Sequence, residues 1–241
     1  MKITIPQLRA DRLSSLVPTR TYAGGWLREP SDYLCIYDSH RFTRDQVRGA
    51  TLAFYTEDSR FTALWSNPER YVRCFATFGW SAVVEPDYSL WRNEPLMEQL
   101  YAVYRMRVLS CLYQERGLAI VPNLTWSDAR SYDFAWLGIP RNCPVAATEC
   151  RSCGKEPENR ALFLQGLNEA TRVVRPETVL IYGGADCSAQ WLKDASPTTA
   201  NFVLLPSWSA QRDKYQRSLN PDYRKRKRGM QHEQSDTYIS Q

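Results

Sequence analysis

The sequence predicts an α/β fold built on a parallel sheet. Three observations carry this expectation: short apolar runs that end in turn residues, helical periodicity between them, and helix-to-strand joins of only a few residues. The runs are YLCIY (33–37), SAVV (81–84), LAIVP (118–122), PVAAT (144–148), TVLIY (178–182) and FVLL (202–205). Most are continuous rather than alternating, which suits strands covered on both faces. Six such strands fit an incomplete or distorted (β/α) barrel, with an open doubly wound sheet as the alternative. The barrel is preferred because a doubly wound nucleotide fold should carry a glycine-rich loop after its first strand, and YDSHRF (37–42) contains no glycine.

The longest helical pattern is EPLMEQLYAVYRMRVLSCLYQERG (94–117). Leu96, Leu100, Tyr104, Val108 and Leu112 recur every four residues, Asn93 or Glu94 can cap the start, Pro95 suits the first turn, and Gly117 ends it. A second helix spans 160–174, with Phe163, Leu167, Ala170 and Val174 on one face and Arg175-Pro176 as its stop. A third covers about 66–77, capped by Ser66 or Asn67, with Tyr71, Val72 and Phe75 inward. Each is followed directly by an apolar run.

The chain has 241 residues, 43% of them hydrophobic, enough for one α/β domain or two small ones without disulfide support. The domain is expected over 33–208, after an irregular leader at 1–32. It contains no apolar run of transmembrane length, and MKITIPQLRADR lacks the apolar segment of a signal peptide, so a cytoplasmic location and no membrane partner are expected. Seven cysteines, an odd number, do not suggest a secreted disulfide framework. Cys143, Cys150 and Cys153, spaced C-x6-C-x2-C, would need a fourth zinc ligand such as Cys35, Cys187 or His40; no second CxxC exists, they read as buried free thiols and a surface turn, and no metal ligands are assigned.

The net charge of +5 is concentrated near the C-terminus: residues 212–228 hold eight Lys or Arg against two Asp. Residues 209–241 therefore read as a basic, mobile tail. Its cluster Arg224, Lys225, Arg226, Lys227 and Arg228 suits nucleic acid or another polyanion, bound in a salt-dependent way.

In parallel architectures ligands bind at the carboxyl ends of strands. The residues there are Asp38-Ser39-His40, Glu85-Pro86-Asp87, Asn123 to Trp126 with Asp128, Glu149, Tyr182-Gly183-Gly184 and Ser207-Trp208. That face is acidic and aromatic. Paired carboxylates can act as acid and base or hold Mg²⁺, and the aromatic rings can stack on a base or sugar. Each Asp, Asn or Ser is equally an ordinary cap or turn residue. His40 is a candidate base, one of only two histidines. Tyr182-Gly183-Gly184 matches neither a dinucleotide nor a P-loop pattern and reads as a tight turn.

The segments Glu85-Pro86-Asp87-Tyr88-Ser89, Val121-Pro122-Asn123-Leu124-Thr125-Trp126-Ser127-Asp128, Ser131-Tyr132-Asp133-Phe134 through Gly138-Ile139-Pro140, and Tyr182-Gly183-Gly184 occur in this order. Over about residues 30–205 the chain resembles a domain-of-unknown-function family met in bacteria, phages and mobile elements. Family members read S-P-D-F-S at the first motif, where this chain has Glu85 and Tyr88. The resemblance implies a phage or mobile-element setting and favours Asp87, Trp126, Asp128, Asp133 and Tyr182. It brings no known reaction.

These readings together describe a phage- or mobile-element-type protein acting on nucleic acid or a nucleotide-like substrate by hydrolysis or group transfer. Asp87, Asp128 and Glu149 are the candidate catalytic residues, with Mg²⁺ as the cofactor they could take. Trp126, Tyr182, Asn123 and Arg105 are the candidate substrate-binding residues. The alternative is a non-enzymatic nucleic-acid or protein-binding factor that uses the basic tail.

Overall fold

The computed structural model describes residues 4–24, 27–37, 43–153, 156–185, 191–192 and 199–220. Eight strands run through them: β1 (Arg20–Thr21), β2 (Tyr33–Ile36), β3 (Thr51–Ala53), β4 (Ala82–Val84), β5 (Ile120–Val121), β6 (Val145–Glu149), β7 (Thr178–Tyr182) and β8 (Asn201–Leu205). All ladders are parallel; β1 to β5 form one sheet and β6 to β8 another, each in chain order. The sheets meet at a parallel bridge between Asn123 and Ala147. There the Leu124 N–H donates to the Ala147 carbonyl at 2.7 Å and the Ala147 N–H to the Pro122 carbonyl at 2.9 Å.

Each parallel step needs a crossover. The connections carry α1 (Arg44–Val47), α2 (Ala63–Ser66), α3 (Pro68–Phe78), α4 (Leu96–Glu115) and α5 (Pro157–Val174), and α6 (Trp208–Leu219) follows β8. The three helices expected from periodicity are α3, α4 and α5.

The sheet curls. Leu34, Ala53, Val84, Val121, Ala147, Leu180 and Leu205, one from each of β2 to β8, share one apolar cluster. Residues of opposite parity, such as Leu52, Val83 and Ile120, pack outward with Val72 and Phe75 of α3 and Met106 and Leu109 of α4. A third cluster joins β6 and β7 to Phe163, Leu167, Ala170 and Val174 of α5. Across the gap, the Thr21 hydroxyl donates to the Pro206 carbonyl just after β8 at 2.6 Å. No β8–β1 ladder closes the ring among the described residues. Strand order that follows chain order around a common interior fits the expected incomplete barrel and lacks the order reversal of a doubly wound sheet.

Several local expectations need correction. Two strands are not among the six expected runs: β1, too short to form a run, and β3, which begins the run TLAFY. Residues 1–32 supply β1 and the buried Leu8 and Tyr22, so this segment is not only an irregular leader. Residues 209–219 belong to α6, while residues 221–241, including the cluster 224–228, lie outside the described residues. Neither Asn93 nor Glu94 caps α4; Pro95 stands at its N-cap without a side-chain bond. Asn67 holds the N-cap position of α3, also without a side-chain bond. In α4 the buried residues include Ala102, Val103, Met106, Leu109 and Tyr113, whereas Leu96 and Tyr104 are exposed. A four-residue step overshoots a helical turn by about 40°, so a strict i, i+4 stripe winds off the core face.

Candidate active site at the strand ends

Strand alternation places a ring of polar residues at the carboxyl end of the barrel interior. Two residues beyond the interior Ala53, Val121, Ala147 and Leu180 stand Tyr55, Asn123, Glu149 and Tyr182. The β6–β7 register sets Glu149 beside Tyr182, and the Tyr182 ring stacks on Tyr55 with centroids 5.1 Å apart. The Tyr55 hydroxyl donates to Asn123 Oδ1 at 3.1 Å. Asn123 Nδ2 donates to Asp87 Oδ1 at 2.6 Å. The ends of β3, β5 and β4 are thereby tied through side chains. Tyr182 Oη accepts the backbone N–H of Trp208 at 2.8 Å, which brings the start of α6 to the same face.

The electrostatics of this group are unusual for carboxylates. Burial, then the nearby charge of Glu149, pushes the Asp87 carboxyl up to about 7, against the lowering effect of the Asn123 bond. Burial also raises Glu149, while Arg151 and the Ser152 hydroxyl and N–H act to lower it. The Ser152 hydroxyl donates to Glu149 Oε2 at 3.1 Å, and Arg151 Nε lies 3.6 Å from Oε1. Burial, with the charges of Asp87 and Glu149, keeps the Tyr55 phenol well above its ordinary range, so it remains a donor. Two carboxyl groups whose proton affinities are both raised by burial can share acid and base duties near neutral pH.

Asp87 and Glu149 line one cleft of about 420 Å³, together with Ser89, Arg92, Trp126 and Cys153. Trp126 is half-buried. Its indole lies on α5, and its Nε1 donates to the Leu162 carbonyl at 3.2 Å. Gly166 permits this, since a Cβ there would stand 1.9 Å from that nitrogen. Trp126 is therefore both a wall of the cleft and a packing residue.

Other expected residues are placed elsewhere. Asp128 caps the 3-10 turn Ala129–Ser131, accepting the Arg130 N–H at 3.0 Å, and pairs with the Arg130 guanidinium at 2.8 Å. That hydrogen-bonded pair, against a smaller effect of burial, holds its carboxyl below the usual range. Arg105 stacks over the Tyr88 ring at 4.0 Å and lines neither this cleft nor the larger one beside it. Asp133 is exposed. Asp38, His40 and Cys187 lie outside the described residues. Cys143 and Cys150 are buried, and burial pushes the Cys143 thiol up to about 12. Among the described residues no group of three or more His, Cys, Asp or Glu is arranged to hold a metal ion.

Glu85 has a different part. One strand position beyond the interior Val84, it points to the helix layer, where Arg107 Nη1 donates to its Oε2 at 2.6 Å with both side chains inaccessible. Arg107 also donates to the carbonyls of Leu137 and Ala135. Glu85 Oε2 further accepts the Asn123 N–H at 3.0 Å. The sequence reading missed Tyr55 and the pairing of Glu85 with Arg107. The run TLAFY could have disclosed Tyr55 as a strand-end residue, whereas the Glu85–Arg107 pairing depends on which face of α4 turns inward.

The model of the family described as Domain of unknown function (DUF4417) matches residues 25–194. The chain belongs to this family. It is 30% identical over 183 residues to the Gene 1 protein of Mycobacterium phage D29, covering 76% of this chain and 64% of that protein. It is 36% identical over 137 residues to the Gene 1 protein of Mycobacterium phage L5, covering 56% of this chain and 58% of that protein. These relatives make it a phage-type protein, as the motif resemblance implied. The chain spans less than two thirds of the length of the curated relatives it matches. No solved structure matches it. The family segment contains Tyr55, Asp87, Asn123, Glu149 and Tyr182 and stops short of α6. No helix among the described residues is long and apolar enough to cross a membrane.

Proposed function

We propose that this chain is an enzyme acting on nucleic acid or a nucleotide-like substrate, with hydrolysis or group transfer at the strand-end cleft. The observation that carries the reading is the placement of Asp87 and Glu149 in one cleft, with Asp87 held by Asn123 and titrating near 7. Asp87 serves as general acid or base, since a carboxyl with that proton affinity is present in both forms at neutral pH. Glu149 is the second carboxylate. Trp126 and Arg92 bound the space for a base or sugar and for an anion. Within this reading Asp128 and Arg105 are structural, one a cap and the other a stacking partner. The test is product release from a panel of nucleotides and of DNA and RNA oligonucleotides. Asp87→Asn, folded by circular dichroism, should lower turnover by about 10²-fold or more; a fully active variant removes Asp87 from the reaction.

A second reading is non-enzymatic binding through the basic C-terminal segment. It is supported by Arg212, Lys214 and Arg217 on α6, which precedes the basic cluster 224–228 in the chain. Deletion of 221–241 should then abolish binding of duplex or single-stranded probes and flatten its salt dependence. Equal binding by the shortened chain removes this role.

A further inference from the structure

A larger cleft, of about 610 Å³, opens on the same face at the ends of β1, β2, β3, β7 and β8. Edges of the stacked pair Tyr55 and Tyr182 reach its floor. Trp208 forms a wall, with the Arg212 guanidinium 5.0 Å over its indole. Arg60, Arg151 and Arg212, all exposed, share the lining with Glu57, the one acid there among the described residues. The N-terminus of the 12-residue α6, capped by Ser207, opens on the same space through Trp208 and Ser209. The volume lies within the ordinary range for small-ligand sites.

Arginine presents a planar fork that fits phosphate oxygens, and a helix start adds partial positive charge. Aromatic walls favour a flat ring. An excess of cations beside aromatic faces is therefore the recognition chemistry of a phosphorylated aromatic. The cleft also adjoins the carboxylates, because Arg151 lines it while lying 3.6 Å from Glu149 of the neighbouring cleft. We propose that this second cleft binds a nucleoside monophosphate unit, free or as the end of a strand, with its phosphate on Arg60, Arg151 and Arg212 and its base against Trp208. The proposal takes its ligand class from the nucleotide reading above and assigns that ligand a place outside the Asp87 cleft.

The test is titration of the full chain, by calorimetry or NMR, with AMP, adenosine, inorganic phosphate, and one oligonucleotide with and without a 5′-phosphate. AMP should bind at least about tenfold tighter than either adenosine or phosphate alone, the loss of one charge-assisted contact being enough for that factor. The double variant Arg60→Gln/Arg212→Gln, checked for native circular dichroism, should bind AMP at least about tenfold more weakly. A 5′-phosphorylated oligonucleotide that binds tighter than both AMP and its unphosphorylated form assigns the cleft to strand ends. An oligonucleotide no tighter than AMP assigns it to free nucleotides. Equal affinity for AMP and adenosine, equal affinity for AMP and phosphate, or unchanged AMP affinity in the double variant overturns the proposal. Asp87→Asn should retain AMP binding, so inactive protein that still binds AMP separates the fate of the catalytic reading from that of this site.

Discussion

Glu85 and Asp87 stand two residues apart at the end of the same strand, yet they belong to different parts of the molecule. Glu85 faces the helix layer, where Arg107 neutralises it inside a sealed contact. Asp87 comes after Pro86 has taken the chain off the strand. It reaches the mouth of the barrel, where an amide is its hydrogen-bond donor and another carboxylate is nearby. The contrast shows that a buried carboxylate is no guide to function by itself. A cation in contact makes it architecture, whereas an open cleft and a like charge leave it with a mobile proton.

The comparison is broken most severely from the outer side. Arg107→Ala leaves Glu85 buried without its cation and frees the carbonyls of Leu137 and Ala135, so stability should fall by about 3–5 kcal/mol in denaturant titration. A loss under about 1 kcal/mol would mean that the pair is not sealed, since only exposed pairs are worth so little. From the inner side, Asp87→Asn should leave the fold intact while activity drops as stated above, and its effect on stability should depend on pH. Asp87 ionises near 7 when folded, against an ordinary value of 3.8, so the folded chain binds that proton more tightly. Its contribution to stability falls as pH rises from about 4 to about 7 and is level above. Asp87→Asn removes this slope and should be more stable than the native chain at pH 8, by melting temperature. A variant less stable at pH 8 would show that the carboxylate is stabilised in place.

Tyr55→Phe tests the link between strands. It strips Asn123 Oδ1 of its donor in a buried setting, at a cost of about 1–3 kcal/mol, and should also lower turnover by loosening the amide that holds Asp87. Unchanged turnover would confine Tyr55 to packing. The smallest effect is expected for Asp128→Ala, which removes a turn cap and a partly exposed ion pair worth about 1 kcal/mol and leaves turnover within a few-fold. A fall as deep as that of Asp87→Asn would return Asp128 to the acting carboxylates.

Much of this architecture is legible in the sequence because parallel strands buried on both faces are written as unbroken apolar runs. Once β5, β6 and β7 are located, Glu149 and Tyr182 follow as the last residues of β6 and β7, and Asn123 as the residue two past β5. Residue type alone did not separate Asp128 from Asp87, since an Asp after a strand serves equally as a cap or as an acid. The distinction lies in Arg130 two residues from one and Asn123 thirty-six residues from the other. Likewise Tyr88, which stands where the family pattern has Phe, carries Arg105 on its ring. A residue read as a substrate contact thus spends its charge within the fold. Two-residue strands such as β1 leave no periodic signal at all.

Asn123 touches both networks, its backbone N–H on Glu85 and its side chain between Tyr55 and Asp87. A carboxamide at that point holds its neighbours by hydrogen bonds but has no readily exchanged acidic proton to hand on, unlike a carboxylic acid or an imidazole. It acts as an insulator in the wire from Tyr55 to Asp87. Protons gained or lost by Asp87 must be traded with whatever occupies the cleft and cannot drain into the barrel through this amide.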